Sequence, residues 1–416
     1  MHALEKILAS HAGMESVKAG EIVTAEVDLA EINDLYLQVL KSFKDMGGKK
    51  VWDPEKIIFI FDHFSPAPSI KAAENHRKMR EFCFEQKIPH LADINSGVCH
   101  QVMPEKGLVR PGMILVATDS HTTTHGAFGA FGTGVGSTDL ATILITGKLW
   151  FRVPEIIKIN IEGKMMPGVM AKDVILKVLG ELGQDVAVYK AIEFAGTAIE
   201  TMSVAERMVI CNMSVEMGAK TSYIQPSDEV LSYVRERYGN DFTVHTTDPD
   251  YEYVESYNFE INNLPPLVAV PHSIDHVLPV NEVEGVKVDQ VLIGTCTGGR
   301  VEDIEIAAKI LKGRKIAPHT RLVVLPASNE VFKESIRRGY IQELLDSGAT
   351  VSAPGCGPCL GVHQGLLSAG ERCVTTSSRN FPGRMGSAEA EIYAASPVTA
   401  AATALEGKLV DPRKYL

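Results

Sequence analysis

Short apolar runs that end in polar or reactive residues recur along the chain, and they constrain its fold more than any other feature. The clearest runs are residues 57–61, 113–116, 291–294 and 373–375, and the residues that follow them are Asp62 and His63, Asp119 to His121, Cys296, and Arg379. Segments with apolar residues at helical spacing lie between the runs, at residues 74–86, 301–312 and 328–345. Continuous apolar strands that alternate with helices are typical of α/β layers with mainly parallel sheets. Ligands bind beyond the carboxyl ends of such strands, so we expect a site where these runs end.

The length of 416 residues predicts more than one domain. Proline-containing turns near residues 152–154 and 262–266 are candidate boundaries. We therefore predict three α/β domains, at residues 1–153, 154–262 and 263–416.

Charge and hydropathy exclude several classes of function. A formal net charge of −11 argues against a general nucleic-acid surface, which normally carries a basic excess. The N-terminus has neither the basic start nor the apolar run of a secretory signal, and no apolar stretch approaches the roughly 18 residues that cross a bilayer. We predict a cytoplasmic protein that binds neither nucleic acid nor membrane.

Three of the seven cysteines stand in unusual surroundings. Cys296, Cys356 and Cys359 are flanked by glycine, proline and threonine, which let the backbone approach a bulky ligand. A Cys-x-x-Cys pair with a distant third thiolate suits an iron–sulfur cluster or zinc, and a thioredoxin-like redox pair is a further alternative. Zinc is the weaker reading because a structural site normally has four protein ligands. We expect the other cysteines to be buried thiols.

The segment 119–126 carries two histidines, His121 and His125, at a spacing that would form a zinc pair on a helix. Three consecutive threonines lie between them, and we predict no helix there. The following glycine-rich stretch lacks the spacing of a dinucleotide-binding loop.

Two further patterns place charged residues together. Residues 203–206 form a capping box and Gly218 is a plausible stop, so Asn212 and Glu216 should project from one face of a helix. Arg379 and Arg384 stand five apart around a turn, where two guanidinium groups can converge on one carboxylate. A solvated arginine pair is the alternative.

In chain order these motifs resemble those of the aconitase superfamily, and most of all the large subunits of 3-isopropylmalate dehydratase and homoaconitase. They are Asp62-His63, His100-Gln101, Asp119-Ser120-His121, Asn212 with Glu216, Cys296, Cys356 with Cys359, and Arg379 with Arg384. The resemblance covers nearly the whole chain. It implies three α/β domains with mainly parallel sheets around a central 4Fe–4S cluster, to which the family adds a fourth, swivelling domain.

The resemblance also implies roles for individual residues. Cys296, Cys356 and Cys359 would hold one cluster per subunit and leave one iron without a protein ligand. The catalytic residues would be Asp62, His63, His100, Asp119, His121 and Glu216, with His100 protonating the departing hydroxyl and Asp62 and His63 supporting that transfer. The substrate-binding residues would be Ser120, Asn212, Arg379 and Arg384. Ser378 departs from the family, which has asparagine before the first arginine.

The resemblance further implies a partner and a reaction. The chain ends at Leu416, soon after the arginine motif, so we expect a small subunit to supply the swivelling domain and its catalytic serine. The expected reaction is reversible dehydration of a small hydroxy-dicarboxylate, first of all the 3-isopropylmalate/2-isopropylmalate isomerisation of leucine biosynthesis. Homoaconitase, methylmalate/citraconate and 2,3-dimethylmalate dehydratase are alternatives, and a zinc-binding or electron-transfer protein is an alternative from another class.

Overall fold

The structure is a computed structural model that describes residues 1–416. The helices are α1 (Ala3–Ala12), α2 (Gln38–Asp45), α3 (Ile70–Gln86), α4 (Cys99–Glu105), α5 (Ser137–Thr146), α6 (Ala171–Leu182), α7 (Thr197–Glu200), α8 (Val204–Met213), α9 (Asp228–Arg237), α10 (Val301–Leu311), α11 (Asn329–Arg337), α12 (Tyr340–Ser347), α13 (Gly357–Leu360) and α14 (Pro397–Glu406). The strands are β1 (Ile22–Glu26), β2 (Leu29–Asn33), β3 (Ile57–Ile60), β4 (His90–Ala92), β5 (Ile114–Ala117), β6 (Phe131–Gly134), β7 (Lys148–Arg152), β8 (Ile156–Glu162), β9 (Ala191–Ala195), β10 (Thr221–Tyr223), β11 (Glu255–Glu260), β12 (Leu267–Ala269), β13 (Val277–Pro279), β14 (Gln290–Gly294), β15 (Arg321–Leu325), β16 (Thr350–Val351), β17 (Arg372–Thr375) and β18 (Glu391–Ala395).

Three sheets organise these strands, and most of the pairing is parallel. The first sheet has the order β4-β3-β2-β5-β6 and is parallel throughout. The second, β10-β9-β8-β11, is also parallel. The third, β13-β12-β18-β17-β14-β15-β16, is antiparallel only where β12 meets β13 and β18. An antiparallel ribbon, β1 with β7, lies beside them.

The sheets divide the chain into consecutive stretches, but the buried core does not divide in the same way. One apolar cluster contains side chains from both the first and the second sheet, among them Leu115 and Ile159. A separate cluster around Val291 and Val324 belongs to the third sheet. The division into domains at residues 153 and 262 therefore remains a prediction.

Two predictions about helices were wrong. Residues 328–345 form two helices, because Arg338 ends α11 and Gly339, at φ 80°, takes the left-handed conformation before α12. Ser120–Phe128 forms a 3₁₀ helix in spite of its threonines. The hydroxyls of Thr122 and Thr124 donate to carbonyl oxygens three residues back, at Asp119 and His121, and so support the turns.

None of the helices combines the length and the apolar character that crossing a bilayer requires.

Candidate active site

A cavity of about 140 Å³ lies where strands of the first and third sheets end. Its lining includes ten of the residues singled out in the sequence: His63, His100, Asp119, Ser120, His121, Cys296, Cys356, Cys359, Arg379 and Arg384. The other three, Asp62, Asn212 and Glu216, lie behind this lining. Asp62 and Glu216 contact lining residues directly. Parallel strands deliver their carboxyl ends to one edge of a sheet, which explains how residues so distant in sequence meet here.

The three cysteines enter the cavity from two loops of the third sheet. Cys296 sits in a 3₁₀ turn directly after β14, and Cys356 and Cys359 flank the start of α13. All three are buried and unbonded, and they pack together with Val98. Small residues are required around them, since a Cβ on Gly298 would lie 2.2 Å from Thr376 Cβ.

The thiols fit an iron–sulfur cluster better than a single zinc ion. Three thiols converge on the cavity without a fourth cysteine to complete a set, and a structural zinc site normally has four protein ligands, whereas an iron–sulfur cluster is held by cysteine thiolates. The pKa of Cys359 is held well below its usual value, first by its hydrogen bond with Cys356 and then, against burial, by the charge of Arg384. Arg384 Nη2 lies 3.6 Å from Cys359 Sγ. A thiolate is the form that binds iron.

A buried chain of histidines and carboxylates lies behind one wall of the cavity. His63 Nδ1 donates to Asp62 Oδ1 at 2.6 Å and lies 3.6 Å from Asp34 Oδ1, while its Nε2 lies 3.6 Å from Asp119 Oδ2. Burial lowers the pKa of His63, but the charge of Asp62 and the hydrogen bonds to both carboxylates outweigh it and raise the pKa well above its usual value. Asp34 also accepts from His76 Nε2 at 3.0 Å. The ring of His63 therefore stays protonated at neutral pH.

Asp119 connects this chain to His100 and His121. His100 Nε2 lies 3.1 Å from Asp119 Oδ1, and His121 Nδ1 lies 3.5 Å from the same oxygen. Burial raises the pKa of Asp119, but the charge and hydrogen bond of His100, followed by those of His121, bring it well below its usual value. Asp119 is therefore ionised, and its Oδ1 accepts from His100 Nε2 at 3.1 Å and from the backbone N–H of His121 at 2.8 Å.

Glu216 joins the opposite wall. Its Oε1 accepts from His121 Nε2 at 2.9 Å and from Arg379 Nε at 2.7 Å, and Arg379 Nη2 also donates to Ser120 Oγ at 3.2 Å. Burial raises the pKa of Glu216, but His121 and Arg379 bring it below its usual value. Arg379 and Arg384 face the same cavity but bind different partners, so they do not share a carboxylate within the chain.

The helix that carries Asn212 and Glu216 begins at the predicted capping box of Ser203 and Glu206. It changes to a 3₁₀ turn at Ser214–Met217 and stops at Gly218, φ 83°. Asn212 Nδ2 donates to Thr124 Oγ1 at 2.8 Å, and its Oδ1 is buried without a partner. The predicted pair thus faces the 3₁₀ helix of residues 120–128.

The sequence argued against a metal pair of His121 and His125, and the 3₁₀ helix that carries them, with three residues per turn, directs positions four apart differently. Asp34 and His76 were missed. Asp34 follows β2 just as Asp62 follows β3, so the same end-of-strand argument could have found it.

Comparison with known proteins gives consistent matches along the chain. The family model described as "Aconitase family (aconitate hydratase)" matches residues 5–285 and 281–407. The "3-isopropylmalate dehydratase large subunit 1" of Methanopyrus kandleri is 52% identical over 413 residues, 99% of each chain. The "Probable methanogen homoaconitase large subunit" of Methanothermobacter thermautotrophicus is 46% identical over 419 residues, 100% of this chain and 98% of that one. Among solved structures, holo aconitase X of Thermococcus kodakaraensis is 13% identical, with a TM-score of 0.47 and coverage of 91% and 90%.

Proposed function

Since the chain belongs to the aconitase family, whose members bind a 4Fe–4S cluster, we propose that it is the large subunit of a hydro-lyase that isomerises 3-isopropylmalate and 2-isopropylmalate in leucine biosynthesis. Relatives named 3-isopropylmalate dehydratase large subunit match it over essentially their whole length. The observation that carries the proposal is the single cavity into which three thiols, three histidines, the carboxylate of Asp119 and two arginines converge.

Cys296, Cys356 and Cys359 would hold one cluster in this subunit, with one iron free of protein ligands. When bound, such a cluster supplies a Lewis acid that makes a substrate hydroxyl a better leaving group. The convergence of the three thiols on one cavity supports this assignment, as does the guanidinium group of Arg384 beside Cys359.

His100 would supply the proton to the departing hydroxyl. Its Nε2 lies 3.1 Å from Asp119 Oδ1, at the wall of the cavity. The protonated ring of His63 lies 3.6 Å from the other oxygen of Asp119, next to Asp62. The carboxylate of Asp119 thus lies between His100 and His63, and it would hold the ring of His100 in place for proton transfer.

Arg379 and Arg384 would orient the substrate. Arg379 has an Nη group beside Ser120 and is itself fixed by Glu216, and Arg384 lies across the cavity. Planar guanidinium groups held in this way bind carboxylates bidentately and determine which C–H faces the base. We further propose that the base is the serine of a small subunit and that the assembled enzyme works in the cytoplasm.

Homoaconitate is the second candidate substrate, because relatives named as homoaconitase large subunits are 46% and 48% identical to this chain. The two substrates differ in the group beside the reacting carbons, a methyl-branched chain in one and a carboxylate-bearing chain in the other. Assay of the reconstituted chain with a small subunit on both would separate them.

The test begins with anaerobic reconstitution with iron and sulfide. A 3Fe–4S EPR signal after mild oxidation, lost when ferrous iron and reductant are added, is the expected result. Dehydration of 3-isopropylmalate should then require both the cluster and the small subunit. A stoichiometric zinc content, or a cluster without a labile iron, would overturn the proposal.

A further inference from the structure

Lys172 is a fully buried cation that the proposed mechanism does not use. It lies in the first turn of α6 and is 1% exposed. A positive charge in the first turn of a helix opposes the helix dipole, so local structure gives no reason for a lysine here. The residue does not line the candidate cavity, and the cavity of about 250 Å³ that it does line is a different one.

All hydrogen-bond acceptors of Lys172 are neutral. Its Nζ donates to the carbonyl oxygen of Ser377 at 2.7 Å, to that of Thr376 at 3.2 Å and to Thr297 Oγ1 at 3.4 Å. The carboxylates of Glu216 and Asp303 act on it without forming an ion pair, and a buried ammonium group that forms no ion pair is unfavourable, because neutral dipoles replace only part of its lost hydration. Within the chain alone, the placement of this lysine is therefore costly.

Two of the contacts of Lys172 are next in sequence to residues of the proposed site. Thr297 follows Cys296, and Ser377 precedes the segment of Ser378 and Arg379. Burial lowers the pKa of Lys172 to about 8, and the thiols of Cys296 and Cys359 come first among the groups that oppose this shift. Bound thiolates carry more negative charge than the oxidised cluster core neutralises, and they would supply the missing counter-charge.

We propose that Lys172 is a positioning residue that acts as the buried counter-charge of the cysteine-bound cluster and raises its reduction potential. This inference rests on the proposed cluster at the three cysteines. It assigns Lys172 no contact with substrate.

The test compares Lys172→Met, Lys172→Arg and the control Lys220→Met. Lys220 is a second lysine whose pKa is lowered by burial, and it bonds a backbone carbonyl, but no cysteine is among the charges that act on it. Two quantities are measured: the midpoint potential of the reconstituted cluster, by EPR-monitored titration, and the melting temperature of the reduced, iron-free protein.

We expect Lys172→Met to weaken cluster reduction at least tenfold, about 59 mV for one electron, while Lys172→Arg and Lys220→Met leave the potential close to that of the wild type. The iron-free Lys172→Met protein should melt at or above the wild-type temperature, because an uncompensated buried charge has been removed. If Lys172→Met loses the cluster but its iron-free form melts at or above the wild-type temperature, this result also supports the proposal.

An unchanged potential in Lys172→Met would overturn the inference alone, as would a lower melting temperature of its iron-free form, which indicates a structural role. A wild-type protein that takes up no cluster would overturn the proposed function as well.

Discussion

Glu216 is the point at which three separate stretches of the chain are held together, and its replacement by glutamine is the sharpest test of the site geometry. One oxygen of Glu216 accepts hydrogen bonds from His121, in the 3₁₀ helix after β5, and from Arg379, in the loop after β17. Glu216→Gln keeps the shape of the side chain and removes its charge. The cationic partners then face an amide.

The size of the effect follows from these contacts. A hydrogen bond to a charged group contributes about 1.5–3 kcal/mol, and an amide oxygen can still accept one neutral bond. The Arg379 side chain is 25% exposed, so solvent screens part of its share. We expect Glu216→Gln to lower the free energy of unfolding of the reduced, iron-free protein by about 2 kcal/mol near neutral pH, measured as a shift of the urea midpoint at equal slope.

The pH dependence provides a second check with a defined sign. His121 and Arg379 overcome the effect of burial and bring the pKa of Glu216 below its usual value. The stability that the carboxylate provides is therefore present above the unfolded-state pKa and is lost as the pH falls through the folded-state value. The difference between wild type and Glu216→Gln should accordingly shrink in acid.

A matched control is Glu334→Gln. Glu334 also pairs with two arginines, Arg337 and Arg338, but on the surface, where ion pairs contribute little. A loss of less than about 0.5 kcal/mol in Glu216→Gln, the range of ordinary surface substitutions, would refute the reasoning. So would a difference that stays constant into acid.

Three further outcomes are expected. Cys359→Ser should abolish iron and sulfide uptake, whereas Cys83→Ala, at a buried thiol on α3, should leave both unchanged. Gly97→Ala should lower the melting temperature, because φ is 121° and the new Cβ would lie 2.4 Å from a backbone Cα atom, while Gly370→Ala, with open space around it, should lower it less. The pKa of His63 is raised because its two carboxylate partners outweigh burial. The contribution of this ring to stability is therefore complete below about pH 6.5 and is lost as the pH rises through the folded-state pKa. The free energies of unfolding of wild type and His63→Phe, measured in urea, should accordingly converge in alkali.

The class of fold could be predicted from the sequence because the strands of parallel sheets are continuous apolar runs. The runs at 57–61 and 291–294 correspond to β3 and β14, and the matches to the aconitase family confirm the α/β fold and the family. The prediction of one continuous helix over residues 328–345 was wrong because the helical spacing of apolar residues continues across Gly339. Only the left-handed backbone at Gly339 interrupts the helix. The helix at 120–128 was missed because threonine hydroxyls can compete with a helix or, as here, support its turns.

Candidate site residues could be found from the sequence where they stand directly after a predicted strand. Asp62, Asp119 and Cys296 each follow a strand, so one rule collects them, and the structure brings all three to the same region. Lys172 carries no such signal, since it stands at the start of an amphipathic helix and meets its partners only through tertiary packing, 125 to 205 residues away. The catalytic and binding roles stay predictions.

Ser378, the one departure from the family's motif, retains a hydrogen-bond donor at this point of the cavity. Its Oγ lies 2.9 Å from His121 Nε2, the same nitrogen that lies 2.9 Å from Glu216 Oε1. Burial lowers the pKa of His121, but its hydrogen bonds with Asp119 and Glu216 raise it above its usual value, so Nε2 carries a hydrogen and has no lone pair to offer. The serine hydroxyl therefore cannot donate to His121. Because Ser378 lines the cavity, we propose that its O–H binds an oxygen of the substrate, as the amide of an asparagine could.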